Sequence, residues 1–143
     1  MCRRFSQYFS SEAREFFEGN FGIILPDTPL PPPMFNVPPF SNIQAVLPAV
    51  NHARELREVL WGLIPGFARE FAPHPKIKMD LTRVESFSNR KDDFRKDLLK
   101  TSRCVVPVNN YFEWETVGKQ KLPYKIRLKD APMMALGAIY RDI

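Results

Sequence analysis

The chain has few of the residues that build disulfide-rich, metal-binding or membrane-spanning proteins. Its 143 residues include two cysteines and two histidines. Two cysteines cannot form the disulfide framework of a secreted domain, and no Cys or His stands at ligand spacing from either histidine, so we predict no metal site and no cofactor. No apolar run approaches the roughly 20 residues that cross a bilayer, and none follows Met1 as in a secretion signal. These absences predict a cytoplasmic protein.

Proline and basic residues are what the chain has in excess. Its 14 prolines are about twice the usual share, and seven of them lie between residues 26 and 39. Because proline fixes φ and lacks a donor, this stretch is predicted to be an extended loop that wraps the domain and buries its apolar residues. The formal net charge is +5, and 18 of the 21 basic residues follow residue 50. Such a surplus suits a polyanion such as nucleic acid, although a mildly basic soluble protein would have the same composition.

Short apolar or alternating runs predict an α+β domain that is mostly β and barrel-like, with short peripheral helices. Helices are predicted from Ser11 to Gly19-Asn20 and over residues 89–100. An apolar final strand with almost nothing after it suggests that residues 1–143 are a single domain forming the front portion of a longer protein. The predicted strands cover residues 43–47, 58–64, 104–108, 111–115, 124–128 and 133–140.

Cys2 is the first candidate for chemistry. If Met1 is removed, Cys2 carries an α-amine and a thiol on adjacent carbons. Such an aminothiol traps an aldehyde, because the amine forms a Schiff base and the thiol then adds to close a thiazolidine ring. Arg3 and Arg4 would favour the thiolate and attract an anionic substrate. A cysteine at position 2 also occurs by chance, so the residue alone does not establish this chemistry.

Glu113 is the second candidate. It stands between Phe112 and Trp114, and a carboxyl that is desolvated by aromatic neighbours suits general acid–base catalysis. In a strand, however, Phe112 and Trp114 share one face, while Glu113 lies on the other with Tyr111 and Glu115. A strand glutamate that faces solvent is therefore an equally consistent interpretation.

Five short motifs gain specificity from their order along the chain. Each is weak alone, but together they resemble the SOS response-associated peptidase (SRAP) family over nearly the whole sequence. The motifs are Met1-Cys2-x-Arg4-Phe5, Phe35-Asn36-Val37-Pro38-Pro39, Leu60-Trp61-Gly62-Leu63-Ile64-Pro65-Gly66-Phe67, Arg83-Val84-Glu85-Ser86, and Arg103-Cys104-Val105-Val106-Pro107 running into Tyr111-Phe112-Glu113-Trp114.

The resemblance implies an SRAP-like β-rich domain that binds single-stranded DNA and traps abasic sites in a thiazolidine crosslink. It also implies autoproteolytic removal of the initiator methionine. By position, Cys2 is the nucleophile and Glu113 the acid–base residue. We expect a monomer that associates with the nucleoid, with abasic single-stranded DNA as its partner. The DNA-binding positions implied by the resemblance are Arg4, Asn36, Trp61, Phe67 and Arg83.

Three departures from the family pattern qualify this expectation. Arg3 replaces a glycine, and Leu81 replaces an active-site asparagine. The family also has a histidine in a later His-x-Arg-x-Pro motif. That motif does not occur in this sequence, since neither His52 nor His74 lies in one. Both histidines are expected at the surface. One alternative is a basic single-stranded-DNA-binding module without the chemistry. The other is a cysteine peptidase acting on other proteins, which would need a Cys–His pair.

Overall fold

A computed structural model describes residues 3–25, 30–64, 79–89 and 95–142, and the structural statements below refer to these ranges. Within them the chain forms strands, three short α-helices and one 3-10 turn. In chain order these are β1 (Phe5–Gln7), α1 (Ser11–Phe21), β2 (Met34–Val37), β3 (Asn42–Pro48), the 3-10 turn (Val50–His52), β4 (Arg54–Leu60), α2 (Ser86–Asn89), α3 (Arg95–Thr101), β5 (Arg103–Val108), β6 (Asn110–Val117), β7 (Gln120–Ile126) and β8 (Met134–Ile139).

The described strands form two four-stranded antiparallel sheets. Their orders are β2-β1-β6-β7 and β4-β3-β5-β8. The hairpins β3–β4 and β6–β7 supply the longest pairings, from Asn42↔Leu60 to Pro48↔Arg54 in the first of them. The expected mostly β fold with short helices is confirmed. The described strands close no barrel, however, so the barrel description is too loose for them.

The chain passes directly from one sheet to the other between β5 and β6. The single residue between these strands is Asn109, whose buried side chain accepts a hydrogen bond from Tyr8 N (2.7 Å) and donates one to Pro132 O (3.2 Å). Asn109 lies between the predicted strands 104–108 and 111–115 and is the point where the chain changes sheets. Asn110 already pairs with Ser6 at the start of β6.

Gln7 joins the two sheets where the β3–β5 ladder stops. These strands pair at Val46↔Val105, and two residues further along this register Gln44 would face Pro107. Proline has no N–H to donate. The fully buried Gln7 amide replaces that pairing, because Nε2 donates to the carbonyl oxygens of Gln44 and Pro107 and Oε1 accepts from Gln44 N, all at 2.8 Å. We call these contacts the Gln7 bridge.

The hydrophobic core has two parts. One lies between the sheets, and the other lies beneath α1, where Ala13 and Phe17 are fully buried. The helix begins after Ser10, whose hydroxyl accepts from Ala13 N, and ends at Gly22 in the left-handed conformation (φ 65°). It therefore extends past the predicted end at Gly19-Asn20. The inter-sheet part consists of Phe5, Val37, Ile43, Ala45, Leu47, Val106 and Val108.

The predicted strand at residues 58–64 is wrong in its second half. β4 ends at Leu60, and the chain then turns at Gly62, which has φ 137°. A Cβ at that position would lie 2.5 Å from the Phe40 ring, so only glycine fits. The turn is fixed by Phe40 N donating to Trp61 O and by Trp61 N donating to Ser41 O (2.8 and 2.9 Å). It orients Trp61 toward the N-terminal strand.

Two other expectations need correction. The proline-rich loop was expected to bury its apolar residues, yet Phe35 is 65% exposed, because β2 is an edge strand and only Val37 of it is buried. The predicted helix at 89–100 is represented by α3, which starts at Arg95, while Asn89 ends α2. Residues 90–94 of the predicted helix fall outside the described residues.

Candidate functional site

The N-terminal strand lies between β2 and β6. Phe5 pairs with Tyr111, and Phe112 N donates a hydrogen bond of 2.9 Å to Arg4 O. Because β1 and β6 are antiparallel, extending this register by one residue beyond Arg4 and Phe112 would set Arg3 opposite Glu113. Cys2, the predicted nucleophile, lies outside the described residues and directly precedes Arg3 in the sequence.

Glu113 is half-buried in β6, between the two alternatives that the sequence left open. Its cross-strand partner in β7 is Tyr124, which is partly exposed. Phe112 and Trp114 alternate with it along the strand, so their side chains occupy the opposite face, as predicted. Trp114 is 44% exposed. Because Glu113 itself is only half-buried, part of this residue is reachable from solvent.

The segment before α2 contacts the residues that precede β1. The Asp80 side chain is 2% exposed, and its Oδ2 lies 3.6 Å from Arg3 Nε. Asp80 O accepts a hydrogen bond from Trp61 Nε1 (2.9 Å), and Met79 O accepts one from Leu63 N (3.0 Å). Sequence reasoning missed Asp80. Its position beside Leu81, at a departure from the family pattern, was the one available signal.

Trp61 connects this segment to the core. Its ring packs against Phe5 with a centroid distance of 4.8 Å and an interplanar angle of 44°. Together with Leu81, which is half-buried, it lines an open, largely apolar cavity of about 990 Å³ along one face of the β4-β3-β5-β8 sheet. Trp61 is therefore half-buried and oriented by two neighbours, Phe5 and Asp80.

The remaining predicted positions are distributed around this centre. Arg4 is half-buried beside β1, and Asn36 is exposed on the neighbouring edge strand β2. Arg83 is exposed in the turn that leads into α2, where Ser86 N donates to Arg83 O (3.0 Å). Phe67 lies outside the described residues. The structure thus brings together the N-terminal strand, Trp61 and the Asp80-Leu81 segment.

Cys104 is the cysteine that the described ranges contain. It lies in β5, is half-buried and lines the large cavity. Burial raises the pKa of the Cys104 thiol to about 11. At neutral pH it is therefore protonated and a weak nucleophile, because the thiolate is the reactive form.

The described residues of the site include no histidine and no cluster of potential metal ligands. His52 is exposed in the 3-10 turn after β3, as expected, and His74 lies outside the described residues. In the parts of the chain that the structure covers, no three His, Cys, Asp or Glu side chains gather as a metal site would require. None of the helices described is both long and apolar enough to span a bilayer.

Comparison with known proteins identifies the class. The family model described as SOS response associated peptidase (SRAP) matches residues 1–143, so the chain belongs to this family. It is 34% identical over 144 residues to "Abasic site processing protein YoqW" of Bacillus subtilis (strain 168), which covers 98% of this chain and 60% of that protein. The "Abasic site processing protein YobE" of the same organism is 33% identical over 144 residues, with 98% and 61% covered.

A solved structure agrees with the fold. The crystal structure of a phage-related protein from Bordetella bronchiseptica superimposes with a TM-score of 0.65 at 25% identity. It covers 94% of this chain and 59% of that chain. The chain thus spans about 60% of the length of the curated relatives described above.

Proposed function

We propose that this chain binds single-stranded DNA and traps abasic sites covalently through Cys2. The observation that carries the proposal is the pairing of the N-terminal strand with β6. Arg4 O accepts from Phe112 N, and extending this register by one residue would set Arg3 opposite Glu113. The residue directly before Arg3 is the cysteine whose amine and thiol the chemistry needs.

The reaction joins the protein to the open-chain sugar of the abasic site. Autoproteolytic removal of Met1 frees the Cys2 α-amine, which attacks the sugar aldehyde and forms a Schiff base with release of one water. The thiol then adds across the C=N bond, so that sulfur bonds to carbon, the proton goes to nitrogen and a thiazolidine ring closes. Glu113 serves as the acid that protonates the departing hydroxyl and as the base that accepts the thiol proton. No oxidant or metal enters this balance.

The DNA strand is proposed to be held by Arg4, Asn36, Trp61, Phe67 and Arg83. Exposed arginines attract phosphates, and partly exposed aromatic rings stack on bases without sequence preference. Arg83 is exposed, and Trp61 retains part of its surface beside the cavity.

The deciding experiment is denaturing electrophoresis after incubation with single-stranded DNA that carries one abasic site. Wild-type protein should form a heat-resistant adduct, and Cys2→Ala should form none while retaining reversible binding. Cys104→Ala is the matched control, because it removes the chain's other cysteine from a half-buried strand position and should leave the adduct unchanged. Equal crosslinking by wild type and Cys2→Ala would contradict the mechanism.

A salt titration tests the phosphate contacts. Arg83→Gln should weaken binding to all single-stranded sequences alike and lower the salt slope by about 0.7 or less, since single strands release roughly that many counterions per phosphate contact. Lys119→Gln is the control, because Lys119 is also exposed but lies in the turn between β6 and β7, outside the lining of the cavity. Loss of binding to particular sequences, or an unchanged slope, would show that Arg83 is structural.

One observation favours a second function, a DNA-binding module without chemistry. Leu81 has no donor or acceptor for the sugar, whereas asparagine at this family position has both. Such a module would bind abasic and intact single strands equally and would leave no adduct after denaturation. A cysteine peptidase acting on other proteins would instead cleave a protein substrate in the absence of DNA.

A further inference from the structure

We propose that Asp80 is a positioning residue: its buried carboxylate holds Arg3, and Arg3 in turn keeps the backbone of Arg3 and Arg4 alongside β6. The inference rests on the proposed function, because it assigns a role within the same site. The juxtaposition that carries it is the 3.6 Å separation between Asp80 Oδ2 and Arg3 Nε.

Burial of the Asp80 carboxylate favours this contact with Arg3, whose side chain is 52% exposed. The Asp80 side chain is 2% exposed, and no group in the described ranges donates a hydrogen bond to its Oδ2. A buried carboxylate loses its hydration and needs a nearby cation. Arg3 is the cation that the described residues place within 4 Å of it. At 3.6 Å the pair is too long for a hydrogen bond, so the attraction is Coulombic.

Asp80 is also held firmly enough to act as an anchor. Its carbonyl oxygen accepts from Trp61 Nε1, and the preceding Met79 accepts from Leu63 N. Trp61 packs in turn against Phe5 of β1. Asp80 therefore has a defined position relative to the strand whose first residues it restrains.

Arg3 is restrained from two directions. The backbone next to it is fixed by the hydrogen bond between Phe112 N and Arg4 O, and its side chain is drawn toward Asp80. Cys2 directly precedes Arg3 in the sequence, so the rate of a reaction at the Cys2 amine should respond to the restraint on Arg3. Restricting a reacting group to productive geometries is worth orders of magnitude in rate.

The pair depends on this chain's own residues. The SRAP pattern has glycine at position 3, and a glycine has no side chain that could reach Asp80. The contact between Arg3 and Asp80 therefore depends on the arginine that this chain has at position 3.

The test measures single-turnover adduct formation on abasic single-stranded DNA at saturating DNA. We expect Asp80→Asn to slow the reaction by about 10-fold, since a small misplacement of a reacting group has effects of this order or larger. The Kd for undamaged single strands should change by less than about twofold. Arg3→Lys keeps the cation and should stay within about threefold of the wild-type rate. The double variant Arg3→Gly/Asp80→Asn should be no slower than the slower single variant.

An independent measurement separates failure of this inference from failure of the proposed function. Hydrogen exchange of the peptide that contains β1 should be faster in Asp80→Asn than in wild type. Asp142→Asn is the matched control, because it breaks an exposed ion pair with Arg57 (3.4 Å) and should leave that exchange unchanged. If wild type forms no adduct, the proposed function fails and the exchange alone decides the role of Asp80. Unchanged exchange in Asp80→Asn, or effects that multiply in the double variant, would overturn the inference.

Discussion

Gln7→Leu should be among the most destabilising single substitutions in the chain, because it removes the Gln7 bridge between the sheets. The side chain is 1% exposed and makes three hydrogen bonds of 2.8 Å. Leucine has nearly the same size but no polar atom. The substitution therefore changes the hydrogen bonding and leaves the volume almost unchanged.

The magnitude follows from the backbone groups that would lose their partner. These are the N–H and the C=O of Gln44 and the C=O of Pro107, all in the buried centre of the β4-β3-β5-β8 sheet. An unsatisfied buried polar group costs about 1–3 kcal/mol. Three of them, partly offset by the apolar burial of leucine, should lower the free energy of unfolding by about 3–5 kcal/mol. Whole domains have only about 5–15 kcal/mol.

Urea unfolding of wild type, Gln7→Leu and Gln44→Leu would measure this effect. Gln44→Leu is the matched control, since Gln44 contributes backbone groups to the bridge and its side chain makes no hydrogen bond to a described residue. It should cost less than about 1 kcal/mol. A Gln7→Leu protein within about 1 kcal/mol of wild type would refute the reasoning, because water or a backbone shift would then be satisfying the three groups.

Two further predictions follow from the site. Because burial raises the pKa of Cys104 to about 11, against 9.0 for an ordinary thiol, the unfolded chain loses this proton first as pH rises. Below pH 9 the thiol is protonated in both states, and its contribution to the free energy of unfolding is fully present. Between pH 9 and 11 this contribution is lost, because the unfolded chain is deprotonated while the folded chain is not. After discounting for its partial exposure, the loss should be about 1–2 kcal/mol in urea unfolding across that range, and Cys104→Ala should remove it. Leu81→Asn should speed adduct formation on abasic single strands by up to about 100-fold, because a polar contact to developing charge has this order of effect. A lower melting temperature with no faster crosslinking would show that Leu81 is a packing residue.

The sequence predicted the strands that carry a regular apolar pattern. Residues 43–47, 104–108 and 111–115 all fall within observed strands, because alternation or a continuous apolar run reports burial on a sheet face. Family membership was also predictable from ordered motifs.

Features that depend on distant partners were not predictable from local pattern. In β1, Ser6 and Gln7 are polar yet buried, because their partners lie 29 to 104 residues away in sequence. The turn at Gly62 required the ring of Phe40, which no local propensity reveals. The buried carboxylate of Asp80 has its compensating charge in Arg3, which is distant in the sequence.

The departures from the SRAP pattern have different physical consequences once the contacts are known. Arg3 replaces a residue without a side chain, and its charge meets that of buried Asp80. This substitution therefore comes with a compensating partner. Leu81 adjoins the same carboxylate, but it lines an apolar cavity and supplies no polar group in place of the family's asparagine. A change at position 3 should consequently act on the placement of Cys2, and a change at position 81 on the chemical step. Measuring adduct rate and DNA affinity in both variants would separate these effects.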